Sequence, residues 1–171
     1  MAITYEPIAT TTLGSDTASV TFSSISGSYT DLIIVGTKQA NNNGSFTPSP
    51  ALRFNGDTGS NYSSTLLDGN GTTASSNRYT SSTYILLGYN IGIGLNSDAI
   101  VIWQIQNYSN STTYKTVLGR LNNPTTGTAP GTGAGVGLWR NTAAITSITL
   151  SPQEHTWSTG AGFTLYGIKA A

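Results

Sequence analysis

Apolar residues in this chain come in short β-branched and aromatic runs separated by turn chemistry. No segment sustains the i, i+3, i+4, i+7 spacing of an amphipathic helix. The runs are Ala18 to Ile25, Thr30 to Ala40, Ala51 to Gly56, Thr83 to Tyr89, Ala99 to Tyr108, Thr113 to Leu121, Gly135 to Arg140, Ala144 to Leu150 and Gly162 to Ile168, with an early strand near Ile8 to Leu13. Leu32 to Val35 is apolar on both faces, as a central strand would be. In "AIVIWQIQNY", Val101, Trp103 and Ile105 share one face, and Gln104 and Gln106 share the other. About nine or ten short strands in one chain of this length predict an all-β fold: a jelly-roll-like antiparallel β-sandwich in a single domain. An N-terminal arm and first strand would occupy 1–14, and the sandwich 15–171.

Three polar stretches lie between the runs: Asn41 to Pro50, Asp68 to Ser82 and Asn122 to Gly137. Their Gly, Pro, Ser and Asn content predicts long loops without a core of their own. "GTGAGVG" (Gly131 to Gly137) has a glycine spacing used by dinucleotide loops. It lacks the strand before and the helix after that such a loop requires, so it too is expected to be a flexible loop.

Composition excludes several kinds of function. Charged residues make up 8% of the chain and the formal net charge is zero, whereas phosphate-backbone binding needs a basic surplus. No nucleic-acid or anionic-membrane partner is expected. No apolar run approaches the ~18 residues of a membrane span, and "MAITYEPIAT" shows no secretory leader pattern. There is no Cys, which removes disulfides, thiolate chemistry and Cys-ligated zinc. A neutral surface rich in hydroxyls repels its own copies weakly, which favours dense assembly.

The richest cluster of functional groups is "LRFNGDTGSNYS" (Leu52 to Ser63). Asn55, Asp57 and Asn61 resemble alternating oxygen ligands of a calcium loop. The twelfth position counted from Asn55 is Leu66 rather than a bidentate Glu, and Asp57 is the only carboxylate in the stretch. Asn-Gly and Asp-Thr-Gly are also strong turn signals, so a structural corner is the favoured reading. His155 is the only imidazole and has no nucleophile elbow to serve. Asp16, Asp31, Asp57, Asp68, Asp98, Glu6 and Glu154 are dispersed, and nothing in the spacing pairs two of them for glycoside hydrolysis. The chain is therefore expected not to be an enzyme and to need no cofactor or metal. Aromatic rings can stack on sugar faces, and Tyr62, Tyr79, Tyr89, Tyr108, Trp139 and Trp157 are the candidates. Tyr62, Tyr79, Trp139 and Trp157 are the preferred glycan contacts. The competing reading, that Tyr and Trp fill strand positions of the core, is favoured.

The phrases "TFSSISGSYTDLIIVG" (Thr21 to Gly36), "LRFNGDTGSNYS", "IQNYSNSTTYKTVLGR" (Ile105 to Arg120), "AITSITL" and "GFTLYGIK" (Gly162 to Lys169) run in an order that resembles a family of small virion structural proteins of tailed bacteriophages. The resemblance spans roughly Thr10 to Lys169 and carries no catalytic residues. It implies a β-sandwich, a homotrimer, display on the virion surface after synthesis in the bacterial cytoplasm, and the major capsid protein as partner. A fibre needs a shaft, and this chain has neither heptads nor a β-helical repeat. The expectation is thus a capsid decoration or cement protein. The alternative is a tail-fibre or head-fibre domain that binds host glycans.

Overall fold

The computed structural model describes residues 4–37, 40–41, 48–88, 91, 93, 98–124, 130–153 and 155–169. The expected strands form, and among the described residues there is no helix. The strands are β1 (Tyr5–Thr12), β2 (Val20–Phe22), β3 (Asp31–Thr37), β4 (Ala40–Asn41), β5 (Pro50–Phe54), β6 (Tyr62–Gly69), β7 (Ala74–Ser82), β8 (Ile85–Leu86), β9 (Ile100–Gln106), β10 (Lys115–Asn123), β11 (Gly131–Trp139), β12 (Ile148–Pro152), β13 (Thr156–Trp157) and β14 (Gly162–Ile168).

Eight strands make one sheet in the order β1-β14-β3-β9-β10-β11-β6-β7. Four more make a second sheet, β2-β12-β5-β8, and β13 pairs with β4. All the pairings are antiparallel. The result is an antiparallel β-sandwich, with which a jelly-roll description is compatible. Its core forms because alternate residues of both sheets point inward. Leu32, Ile34, Val101, Trp103, Ile105, Val117, Phe163 and Leu165 of the large sheet join Val20, Phe22, Leu52, Phe54, Ile148 and Leu150 of the small sheet in one buried cluster. β3 is an inner strand, as its apolar run predicts. β1 is the outermost strand beside β14. A surface ion pair from Lys169 Nζ to Glu6 (2.6 Å) and a hydrogen bond from the Tyr29 hydroxyl to Glu6 (3.1 Å) reinforce that seam.

Two expected loops are strands. Asp68 to Ser82 contains β7, nine residues paired along β6 at the sheet edge. Its side chains are exposed or half-buried throughout, so it carries no apolar alternation to betray it. Gly131 to Gly137 is the first part of β11, paired on both sides with β10 and β6. Gly133, Gly135 and Gly137 all face inward, and Thr132, Ala134 and Val136 face out. The glycines leave room for a segment of the opposite layer: a Cβ on Gly137 would lie 2.4 Å from Ile85 Cγ2, and one on Gly119 of β10 would lie 2.3 Å from both methyls of Leu87. Among the described residues of Thr83 to Tyr89, Ile85–Leu86 alone pairs as a strand. Tyr89, Glu154 and most of Asn41 to Pro50 lie outside the described residues.

Candidate functional site

The Leu52 to Ser63 stretch leaves β5, turns and enters β6. Asn55 and Gly56 both have positive φ (52° and 66°), and the Asp57 N–H donates to Phe54 O (2.9 Å). Positive φ at both central residues is the geometry for which Asn-Gly is favoured. The Asn55 side chain then ties this turn to the strand-entry segment before β12. Its Nδ2 donates to Ala144 O (2.8 Å), and its Oδ1 accepts from Thr146 N (2.9 Å) and Ser147 N (3.1 Å).

Asp57 holds the other side of the corner. Its Oδ1 accepts from Gly59 N (2.8 Å), and its Oδ2 accepts from Trp139 Nε1 (2.7 Å) and Asn61 Nδ2 (3.0 Å). These donors, Trp139 above all, hold the carboxyl below its ordinary range against the opposing effect of burial. Both oxygens are occupied by N–H donors, so a cation would have to displace them. Among the described residues no cluster of acids and His is placed to hold a metal. Beneath the turn the Tyr62 hydroxyl donates toward Phe54 O (3.3 Å) and Asp57 O (3.2 Å) and accepts from Phe54 N (3.1 Å). Burial pushes this phenol up to about 12. The stretch is a clamp that fixes the β5–β6 corner.

Asp57→Asn is expected to cost about 2 kcal/mol at pH 7, the scale of hydrogen bonds to a charged acceptor. The sign with pH follows from the lowered pKa. The stabilisation is complete above the unfolded carboxyl value, near 3.9, and is lost as pH falls through the lower folded value. Urea unfolding between about pH 5 and pH 2 should therefore show a steeper acid loss in the parent chain than in Asp57→Asn. Parallel curves would sink the assignment.

The aromatic candidates for sugar stacking are corrected by burial. Tyr62 and Trp157 are fully buried, Trp139 is 1% exposed, and Tyr108 is also fully buried. Trp139 packs on Phe54 (5.3 Å between ring centroids) and stacks with Tyr62 (6.2 Å). Trp157 meets Phe163 edge-on (4.8 Å), and its Nε1 donates to Leu150 O (3.1 Å). The Tyr108 hydroxyl donates to Ser26 O. Rings covered on both faces have none left for a sugar. Tyr79 alone of the preferred four is half-buried, lying against Ala51, Leu66 and Leu86. His155 is half-buried beside β13. Lys115, which nothing in the sequence singled out, is wholly buried; its Nζ donates to Thr113 O (2.7 Å) and Thr142 O (3.1 Å), and burial lowers its pKa.

Among the described residues, several large apolar side chains are exposed on the outer face of the eight-stranded sheet. Leu67 is 62% exposed, Val136 54%, Leu118 48% and Ile100 41%. Register makes Leu118, Val136 and Leu67 neighbours, Leu118 pairing with Val136 and Ala134 with Leu67, while Ile100 pairs with Asn122, beyond Arg120 on β10. Beside them Ile100, Ile102, Arg120, Asn122 and Thr132 line a depression of about 310 Å³. Fold and surface define an all-β sandwich whose accessible feature is a broad sheet face. Compared with known proteins, the chain matches no family model, no curated protein and no solved structure.

Proposed function

We propose that this chain is a virion structural protein of a tailed bacteriophage, a non-catalytic decoration or cement protein that binds the head lattice as a homotrimer and stabilises it. The observation that carries the reading is the outer sheet face. A sandwich that satisfies its own core while leaving Leu67, Leu118, Val136 and Ile100 open is suited to work through buried area rather than through a pocket. The low charge content and the order of phrases that resembles virion proteins support it. The glycan-binding fibre reading loses Tyr62, Trp139 and Trp157 to the core and is the weaker of the two.

The test is direct. Light scattering of the purified protein should give the mass of a trimer of the 17.8 kDa chain. Phage heads stripped of the protein should rebind it on co-sedimentation and survive higher temperature when it is present. A protein that leaves head binding and heat resistance unchanged overturns the proposal. A glycan array that retains the protein through Tyr79 would transfer the function to the fibre reading.

A further inference from the structure

The outer face has a charge pattern that says what should cover it. Across β10, β11, β6 and β7 its outward positions include Arg120 and Arg78, both exposed, and no carboxylate. Neither guanidinium has an acceptor among the described residues. The nearby Arg140 is already tied to Ser63 Oγ, Ser60 O and Tyr62 O. Asp31, on the outer side of β3, accepts the Asn107 N–H (2.7 Å). Arg120 and Arg78 stand three strands apart and two residues out of register, roughly 16 Å at ordinary strand spacing. The apolar group of Leu118, Val136, Ala134 and Leu67 lies between them. These four strands, each of eight or nine residues, span roughly 550 Å², the larger part of the ~800 Å² each partner gives to a standard interface.

We infer that this face docks a protein surface of one chemistry: apolar side chains flanked by carboxylates that take Arg120 and Arg78. The inference rests on the decoration reading, whose lattice contact it would describe. A second copy of the same face is a poor occupant, because a two-fold interface sets the same patch on both sides and brings arginines together with no acid to meet them. Phosphate backbones and anionic membranes call for more cations than two. Arginine suits carboxylates because its fork can bind both oxygens.

The test uses the full chain and two immobilised peptides, one alternating Leu and Glu, the other alternating Leu and Lys. The Leu/Glu peptide should bind about tenfold more tightly. Leu118→Ser, and the pair Arg78→Gln with Arg120→Gln, should each weaken it about tenfold. These side chains are exposed, and thermal melting checks that the variants remain folded. Equal affinity for the two peptides, or variants that bind as the parent does, overturns the inference. So does dissociation of a self-associated form by Leu118→Ser, or preferential binding to vesicles containing phosphatidylglycerol. Stripped heads separate the two failures. If heads bind parent and Leu118→Ser equally, the face is wrong while decoration stands. If heads bind neither, decoration falls and the peptides alone judge the face.

Discussion

Trp139→Ala should destabilise the protein by about 3–5 kcal/mol, the range for removing a buried Trp. Trp139 sits on β11 of the large sheet and is 1% exposed. Its ring touches Phe54 of the small sheet and stacks on Tyr62 of the large one, so it spans the two layers. Its Nε1 also reaches Asp57 at 2.7 Å. The alanine variant opens a cavity between the sheets and withdraws a donor from a half-buried carboxylate. In a chain of this size the loss corresponds to a fall of about 10 °C in melting temperature. Trp139→Phe separates the two effects. It retains most of the ring and should cost about 1.5–3 kcal/mol, largely the charge-assisted hydrogen bond. Combined with Asp57→Asn it should cost clearly less than the sum, since both changes remove one interaction. A loss below about 1 kcal/mol for Trp139→Ala would contradict a ring that bridges the layers.

What could be read in the sequence depended on which residues carried alternation. β9 sets Val101, Trp103 and Ile105 on one face with Gln104 and Gln106 on the other, β3 showed itself by an apolar run on both faces, and the burial of both strands follows the two-residue period. The β5–β6 corner was legible because Asn-Gly and Asp-Thr-Gly are turn chemistry: Asn55 and Gly56 adopt positive φ, and the Asp57 carboxylate accepts the Gly59 N–H. β7 was illegible because an edge strand with hydroxyls on both faces looks like a loop; its pairing comes from β6 rather than from itself. β11 did carry a signal. Glycine at every second position from Gly131 to Gly137, with larger residues between, is strand periodicity with the smallest side chain on the buried face. The aromatic candidates divided for a related reason. Sequence shows that Tyr62, Trp139 and Trp157 can stack on a sugar or on one another; only the packing of two layers decides between those uses.

The inward glycines make the second large prediction, that Gly119→Ala should cost about 3 kcal/mol, the upper part of the range for an overpacked core. A methyl is the smallest possible addition, and on an exposed strand position it would be harmless. Here the new Cβ would stand 2.3 Å from Leu87 Cδ1 and Cδ2 and 2.8 Å from its Cγ. Leu87 cannot easily retreat: it is 1% exposed, and its backbone N–H donates to Pro50 O at 3.0 Å. Gly135, registered opposite Gly119, continues the shelf, and a Cβ there would meet Leu66 at 2.7 Å and Leu87 at 2.9 Å. The cause can be isolated by removing the other half of the clash. Leu87→Ala alone should cost about 2–5 kcal/mol through its cavity. With Leu87→Ala in place, Gly119→Ala should add less than about 1 kcal/mol, because the methyl enters space that the leucine vacated. Urea unfolding of the parent, both single variants and the double variant closes the cycle. Additive losses would mean that close approach of the two layers does not explain glycine at this position. A strongly sub-additive pair would show that the glycine row in β10 and β11 exists to seat Leu87 and its neighbours against the large sheet.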